Sequence, residues 1–222
     1  MARPRVLLTG FGPFPGVADN PSAWLAEACA ERAAPEFAAE LHAQILPTEW
    51  GATALMPRLY TSLQPHVMIH FGVSERAKTF RIERSAHNRA ARRADANAAF
   101  PAGRVIHAEG PDRLDTALPA DRLAAHLRTS GLPAVTSRSA GRYLCNFLYY
   151  HSLDWARRQP DPRLVLFVHI PPLESFSREA MLRGAQETVR FVLACADARP
   201  TLEPTSGPAF APREAMLSAK DA

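Results

Sequence analysis

Three apolar runs, widely separated along the chain, restrict what it can fold into. Arg5–Thr9, His66–Val73 and Leu164–Pro171 are rich in Val, Ile, Leu, Met and Phe, and each closes at or beside a Gly or Pro. Runs that are continuously apolar, instead of alternating, belong to strands buried on both faces, as in a parallel sheet covered by helices. Leu41–Leu46 reads as a further strand. Between the strands lie segments of helical period. One starts at Asn20-Pro21-Ser22, with Asn20 as cap and Pro21 at the first helical position, and turns Trp24, Leu25, Ala28 and Cys29 to the core. Ala52–Leu63, Asp121–Ser130 and Ser177–Ala196 are the others. Strands alternating with helices predict a single-domain α/β/α sandwich around a mostly parallel twisted sheet, over residues 1–197. At 222 residues one such domain is the expectation, with 198–222, Pro-bearing and unpatterned, as a C-terminal tail.

Charge and cysteine usage exclude several function classes. The formal charge of +4 (26 Lys+Arg against 22 Asp+Glu) is modest and nearly all the cations are Arg. Their densest cluster, Arg84, Arg89, Arg92 and Arg93, has only Phe80 nearby, so it does not make the aromatic-laced basic face of a nucleic-acid binder. It reads as a solvated face or an Arg-lined site. The three cysteines, Cys29, Cys145 and Cys195, are odd in number and widely spaced, which argues against both a disulfide framework and a structural zinc site. His66 and His70 lie on one strand without a carboxylate or thiol beside them, and no metal is expected there. Met1 passes into Arg5–Leu8 with no room for a signal peptide, and no apolar run reaches the ~20 residues of a membrane span. The expectation is a soluble, cytoplasmic protein without nucleic-acid or membrane partners and without cofactor; a homo-oligomer is left open.

The chemistry points to Ser137–Trp155. Small and hydroxylated residues at 137–141 read as a helix start. Leu144, Phe147, Leu148, His151 and Trp155 then recur as one buried stripe, which puts Cys145 in or next to the first turn. There the free N–H groups and the helix dipole favour negative charge, the setting in which a thiol ionises readily. Gly10–Gly16 is a stiff loop at the carboxyl end of the first strand. Its Phe11 and Phe14 read, by themselves, as pins holding the loop to the core, and no Lys follows to make a phosphate loop. His169, near the end of its strand, is either a catalytic residue or a hydrogen-bonded core histidine. Glu83, flanked by Arg81 and Arg84, reads as a surface carboxylate in a weak ion pair. Residues 89–112, without periodicity, read as an excursion over the sheet's carboxyl edge, and Cys195 as a buried thiol.

Four blocks in order give the chain a family resemblance from about residue 5 to residue 195. They are Leu7-Leu-Thr-Gly-Phe-Gly-Pro-Phe14 with Asn20-Pro21-Ser22, Ile82-Glu-Arg-Ser-Ala-His-Asn88, Ser139-Ala-Gly-Arg-Tyr-Leu-Cys-Asn146 and Phe167-Val-His-Ile-Pro171. In these the chain resembles the pyroglutamyl peptidase I (pyrrolidone carboxyl peptidase) family of cysteine peptidases. The resemblance implies hydrolysis of N-terminal pyroglutamate from peptides through a thioester acyl-enzyme, with Cys145 as nucleophile, His169 as base and Glu83 as third member. It also implies Arg93, ten residues after the Glu, at the oxyanion. Phe11 and Phe14 become the rings around the lactam, with Asn20, Tyr143 and Leu144 completing the substrate site. Val73 follows Gly72 where many bacterial members carry Gln; Gly72-Val-Ser74 is closer to animal members. The alternatives are a related cysteine hydrolase acting on another lactam or small amide, and a non-catalytic binding protein of the same fold.

Overall fold

The structure, a computed structural model, describes residues 3–14, 16–33, 36–51 and 56–198. The apolar runs are its strands: β1 (Arg5–Phe11), β2 (Glu40–Leu46), β3 (Val67–Val73) and β8 (Leu164–Ile170). With β4 (Phe80–Glu83) and β7 (Ala134–Ser137) they make one six-stranded sheet in the order β2-β1-β3-β8-β4-β7. The β1, β2, β3 and β8 pairings are parallel, whereas β4 runs antiparallel to β8. The link 74–79 explains that reversal, because it is too short for the crossover a parallel neighbour needs. The sheet is mostly parallel, as its apolar runs require.

Helices α1 (Pro21–Ala33), α3 (Ala120–Thr129) and α5 (Arg178–Asp197) cover one face; α2 (Met56–Leu63) and α4 (Leu144–Ala156) cover the other. Along β8, Leu166, Val168 and Ile170 enter the first core, and Val165 and Phe167 the second. Burial of each large apolar side chain contributes roughly 1.5–3 kcal/mol. Gly184 lets α5 lie on the sheet, since a Cβ there would meet the Phe80 ring at 2.3 Å. A two-stranded ribbon, β5 (Ser85–His87) with β6 (Arg113–Asp115), ties the ends of the 89–112 excursion together. Inside it, Asn88 Oδ1 accepts from the N–H groups of Ile106 and His107, and its Nδ2 donates to His107 O and Gly110 O. No helix among the described residues is long and apolar enough to cross a membrane.

Several local expectations are corrected. Ser137 ends strand β7, and α4 starts only at Leu144, capped by the extended backbone of Tyr143 without a side-chain bond. Gly141, at φ +83°, makes the turn between them. The expected stripe on α4 is not its deepest face: Phe147, His151 and Trp155 are partly buried, whereas Asn146, Tyr149, Tyr150 and Leu153 are buried. Cys195 is only partly buried. Helix α2 is described from Met56, and the start expected at Ala52 lies outside the described residues, as does the tail after residue 198.

Candidate active site

The carboxyl ends of β1 and β3, Arg81 near the start of the antiparallel β4, and the start of α4 line a cavity of about 470 Å³. Cys145 is the second residue of α4 and lines that cavity. Beneath it, β3 passes as bare backbone at Gly72: a Cβ there would stand 3.0 Å from Cys145 Sγ and 2.8 Å from the Phe167 ring. The thiol is partly exposed, in contrast to Cys29, whose thiol burial in the core and the nearby Glu36 push up to about 12.

His169 stands on β8 beside this sulfur. Its Nδ1 donates to Glu83 Oε1 at 2.8 Å, which leaves Nε2 for the hydrogen bond with Cys145. Burial alone would lower the imidazole, but the charge and hydrogen bond of Cys145, then those of Glu83, push it up to about 9. Glu83 is fully buried, which corrects its reading as a surface acid. Antiparallel pairing sets Glu83 opposite Phe167 and Arg81 opposite His169, so all four side chains stand on the α4 side of the sheet. Arg81 Nε lies 3.7 Å from Glu83 Oε1, the ion pair the sequence suggested, with its carboxylate buried and its Arg side chain partly exposed. Tyr149 Oη donates to Glu83 O at 3.0 Å and holds the strand end under α4.

The other expected site residues meet at the same cavity. Phe11, at the end of β1, is buried and Phe14 half-buried, and both line it. Asn20 reaches its wall, yet Nδ2 donates to Gly12 O (2.9 Å) and Oδ1 accepts from Ser22 Oγ (2.8 Å). Its amide holds the Phe11–Phe14 loop in place. Thr48, which sequence reasoning did not single out, shares that task by donating to Gly12 O at 2.8 Å. Tyr143 and Leu144 form the wall next to the thiol. Tyr143 Oη donates to Ala94 O, and the Arg93 guanidinium lies 4.6 Å over its ring. Arg92 instead sits over Phe100, away from the cavity.

Asn146, one residue after the thiol, was also missed as an organiser. It accepts from His87 N–H at 2.7 Å and donates to His87 O and Arg89 O, so it fastens the 87–93 segment to α4. The only hint was an amide next to Cys145 in a stretch otherwise reading as apolar helix. A separate hollow of about 450 Å³ beside the start of α3 carries Arg84, Arg113, Arg122 and Arg138, with Arg84 paired to Asp121 and Arg113 to Asp115; Cys145 and His169 are not on it. Among the described residues no group of three His, Cys, Asp or Glu is arranged to hold a metal ion. The arrangement at the main cavity is that of a thiol, an imidazole able to trade a proton with it, and a buried carboxylate that orients the imidazole.

Comparison with known proteins gives the family and the fold. The family model described as pyroglutamyl peptidase matches residues 4–185. Pyroglutamyl-peptidase 1 of Rattus norvegicus is 35% identical over 178 residues, 78% of this chain and 82% of its own. The pyrrolidone-carboxylate peptidase of Chromobacterium violaceum is 37% identical over 171 residues, 75% of this chain and 77% of its own. Among solved structures, pyroglutamyl peptidase I of Bacillus amyloliquefaciens superposes with a TM-score of 0.78 at 27% identity, covering 86% of this chain and 98% of that one.

Proposed function

The chain belongs to the pyroglutamyl peptidase family of cysteine exopeptidases, and from that premise we propose that Cys145, His169 and Glu83 carry out the removal of N-terminal pyroglutamate from peptides. The observation that carries this reading is the 2.8 Å bond from His169 Nδ1 to the buried Glu83, with the other ring nitrogen turned to the cavity-lining thiol.

The proton of Cys145 passes to His169 Nε2, giving a thiolate–imidazolium pair. Sulfur attacks the carbonyl that joins pyroglutamate to the next residue, and the imidazolium protonates the departing amine as the C–N bond breaks. Water, activated by the now neutral His169, hydrolyses the thioester and restores the thiol. Glu83 keeps the imidazole in the tautomer with Nδ1–H and balances its positive charge. The N–H groups at the uncapped start of α4 and the Arg93 guanidinium supply donors for the oxyanion; loss of one such donor typically costs ~10²–10³ in rate. The lactam is neutral and lacks an amine, which suits a site walled by Phe11, Phe14, Tyr143 and Leu144. All three thiols are free, and we assign the protein to a reducing compartment such as the cytoplasm.

The test is release of a fluorogenic amine from a pyroglutamyl amide by the parent and by Cys145→Ala. The variant is expected to stay folded and to lose at least ~10³ in kcat. Thiol alkylators should inhibit the parent and chelators should not. A Cys145→Ala protein as active as the parent overturns the mechanism.

A further inference from the structure

The site as described binds a neutral ring, yet its cavity is lined by three guanidiniums, Arg76, Arg81 and Arg93, against one carboxylate, Glu75. Arg93 is engaged with Tyr143. Arg76 makes no ion pair among the described residues, and neither the lactam nor the thiol chemistry uses Arg76 or Arg81.

Where these two stand decides what they meet. The departing amine takes its proton from His169, so the residue that follows pyroglutamate lies beside that imidazole. Arg81 is directly opposite His169 in the β4–β8 ladder, and adjacent cross-strand side chains share a face. The Arg81 guanidinium is held at both ends. Its Nη2 donates to Ser137 Oγ at 3.0 Å, and its Nε faces Glu83 Oε1 at 3.7 Å. Nη1 has no acceptor among the described residues, and the side chain is 41% exposed. Arg76 lines the same cavity from the link 74–79. A guanidinium fixed in place with donors to spare is the group that recognises a carboxylate.

Building on the peptidase reading above, we propose that this side of the cavity is a carboxylate site, with Arg81 as its principal donor and Arg76 as its second, so that the enzyme favours peptides bearing an acidic group on the residue after pyroglutamate. That group is either the side chain of Asp or Glu or the α-carboxylate of a pyroglutamyl dipeptide.

Three compounds separate the sources: pyroglutamyl-glutamate amide, its isosteric glutamine amide, and pyroglutamyl-glutamine as the free acid. For the full chain, kcat/KM for the favoured acid is expected to exceed that for the glutamine amide by roughly five- to tenfold, with the gap closing at high salt. An advantage for the first compound identifies the side chain; an advantage for the third identifies the α-carboxylate. The same ratio in Arg81→Gln should fall toward one, return partly in Arg81→Lys, and fall about twofold in Arg76→Gln. A ratio taken within one enzyme cancels any change in the chemical step shared by both substrates. Should Arg81→Gln lose turnover through its contact with Glu83, dissociation constants from calorimetry on Cys145→Ser, with and without Arg81→Gln, give the ratio instead. A parent ratio at or below one for both acids overturns the proposal, and so does a ratio that survives Arg81→Gln. If the neutral amide is cleaved without preference for an acid, only this proposal falls. If none of the compounds is cleaved or bound, the peptidase reading falls with it.

Discussion

Two imidazoles lie on neighbouring strands of the same sheet, two residues apart in register and on the same face, and they are driven in opposite directions. His70 on β3 pairs with Phe167, and His169 on β8 pairs with Gly72. His70 is wholly buried. Its Nδ1 meets the Thr9 hydroxyl at 2.8 Å, its Nε2 has no partner among the described residues, and burial pushes it down to about 3. His169 is pulled down by burial in the same way, but Cys145 and Glu83 reverse the outcome and carry it to about 9. The interior of this sheet neutralises a histidine by default. Only at the carboxyl edge, where β4 returns antiparallel and α4 begins, do a carboxylate and a thiol come within reach.

Removing the carboxylate should make the second imidazole behave more like the first. Glu83→Gln is expected to lower kcat by about 10², since the amide holds the ring but no longer balances its charge. The pH profile sharpens the comparison. In the parent, kcat/KM should decline as pH rises through about 9, where His169, in the proposed mechanism the imidazolium that pairs with the thiolate and protonates the leaving amine, gives up its proton. In Glu83→Gln that alkaline limb should move toward the ordinary histidine range. An alkaline limb identical to the parent's would show that Glu83 does not set the charge of His169.

The same pair predicts how stability varies with pH. For His169 the folded value lies above the unfolded 6.5, so its contribution is full below 6.5 and lost as pH rises through about 9. For His70 the folded value lies below 6.5, so its contribution is full above 6.5 and lost as pH falls toward about 3. Each amounts to a few kcal/mol, on the order of 1.4 per pH unit of displacement. Urea unfolding of the parent should show stability falling between pH 6.5 and roughly 4, above the ordinary carboxylate range. In His70→Leu that acid slope should flatten and the alkaline slope should persist. An unchanged acid slope would sink the assignment to His70.

How much of this was legible in the sequence follows from where each residue gets its environment. The strands were readable because burial on both faces leaves β1, β3 and β8 as unbroken apolar runs. Cys145 was readable as a thiol near a helix start because that depends on its immediate neighbours. The start itself was misplaced by seven residues at most, because Ser137 and Ser139 bond within their own turn rather than capping α4. Glu83 was not readable from its neighbours. Arg81 and Arg84 make it look like a surface acid, and its burial comes from β8 and from Tyr149, both far along the chain. The 89–112 excursion has no period because its order comes from two buried polar side chains, Asn88 and Asp95, which gather backbone N–H groups that no strand or helix satisfies. Four blocks in family order carried what spacing could not.

The smallest test separates the two imidazoles from each other. Thr9→Val keeps the shape at the end of β1 but takes away the hydroxyl that meets His70 Nδ1, leaving both ring nitrogens of His70 without a partner among the described residues. An unmet hydrogen bond in the core costs about 1–3 kcal/mol, so the variant should unfold at lower urea at neutral pH. Turnover of a pyroglutamyl amide and the position of its alkaline limb should stay as in the parent, because β3 meets the sulfur at Gly72 and His70 lies two residues deeper along the strand. If the alkaline limb moved in Thr9→Val, the two imidazoles would be coupled through the sheet, and Cys145 and Glu83 would not by themselves account for the charge on His169.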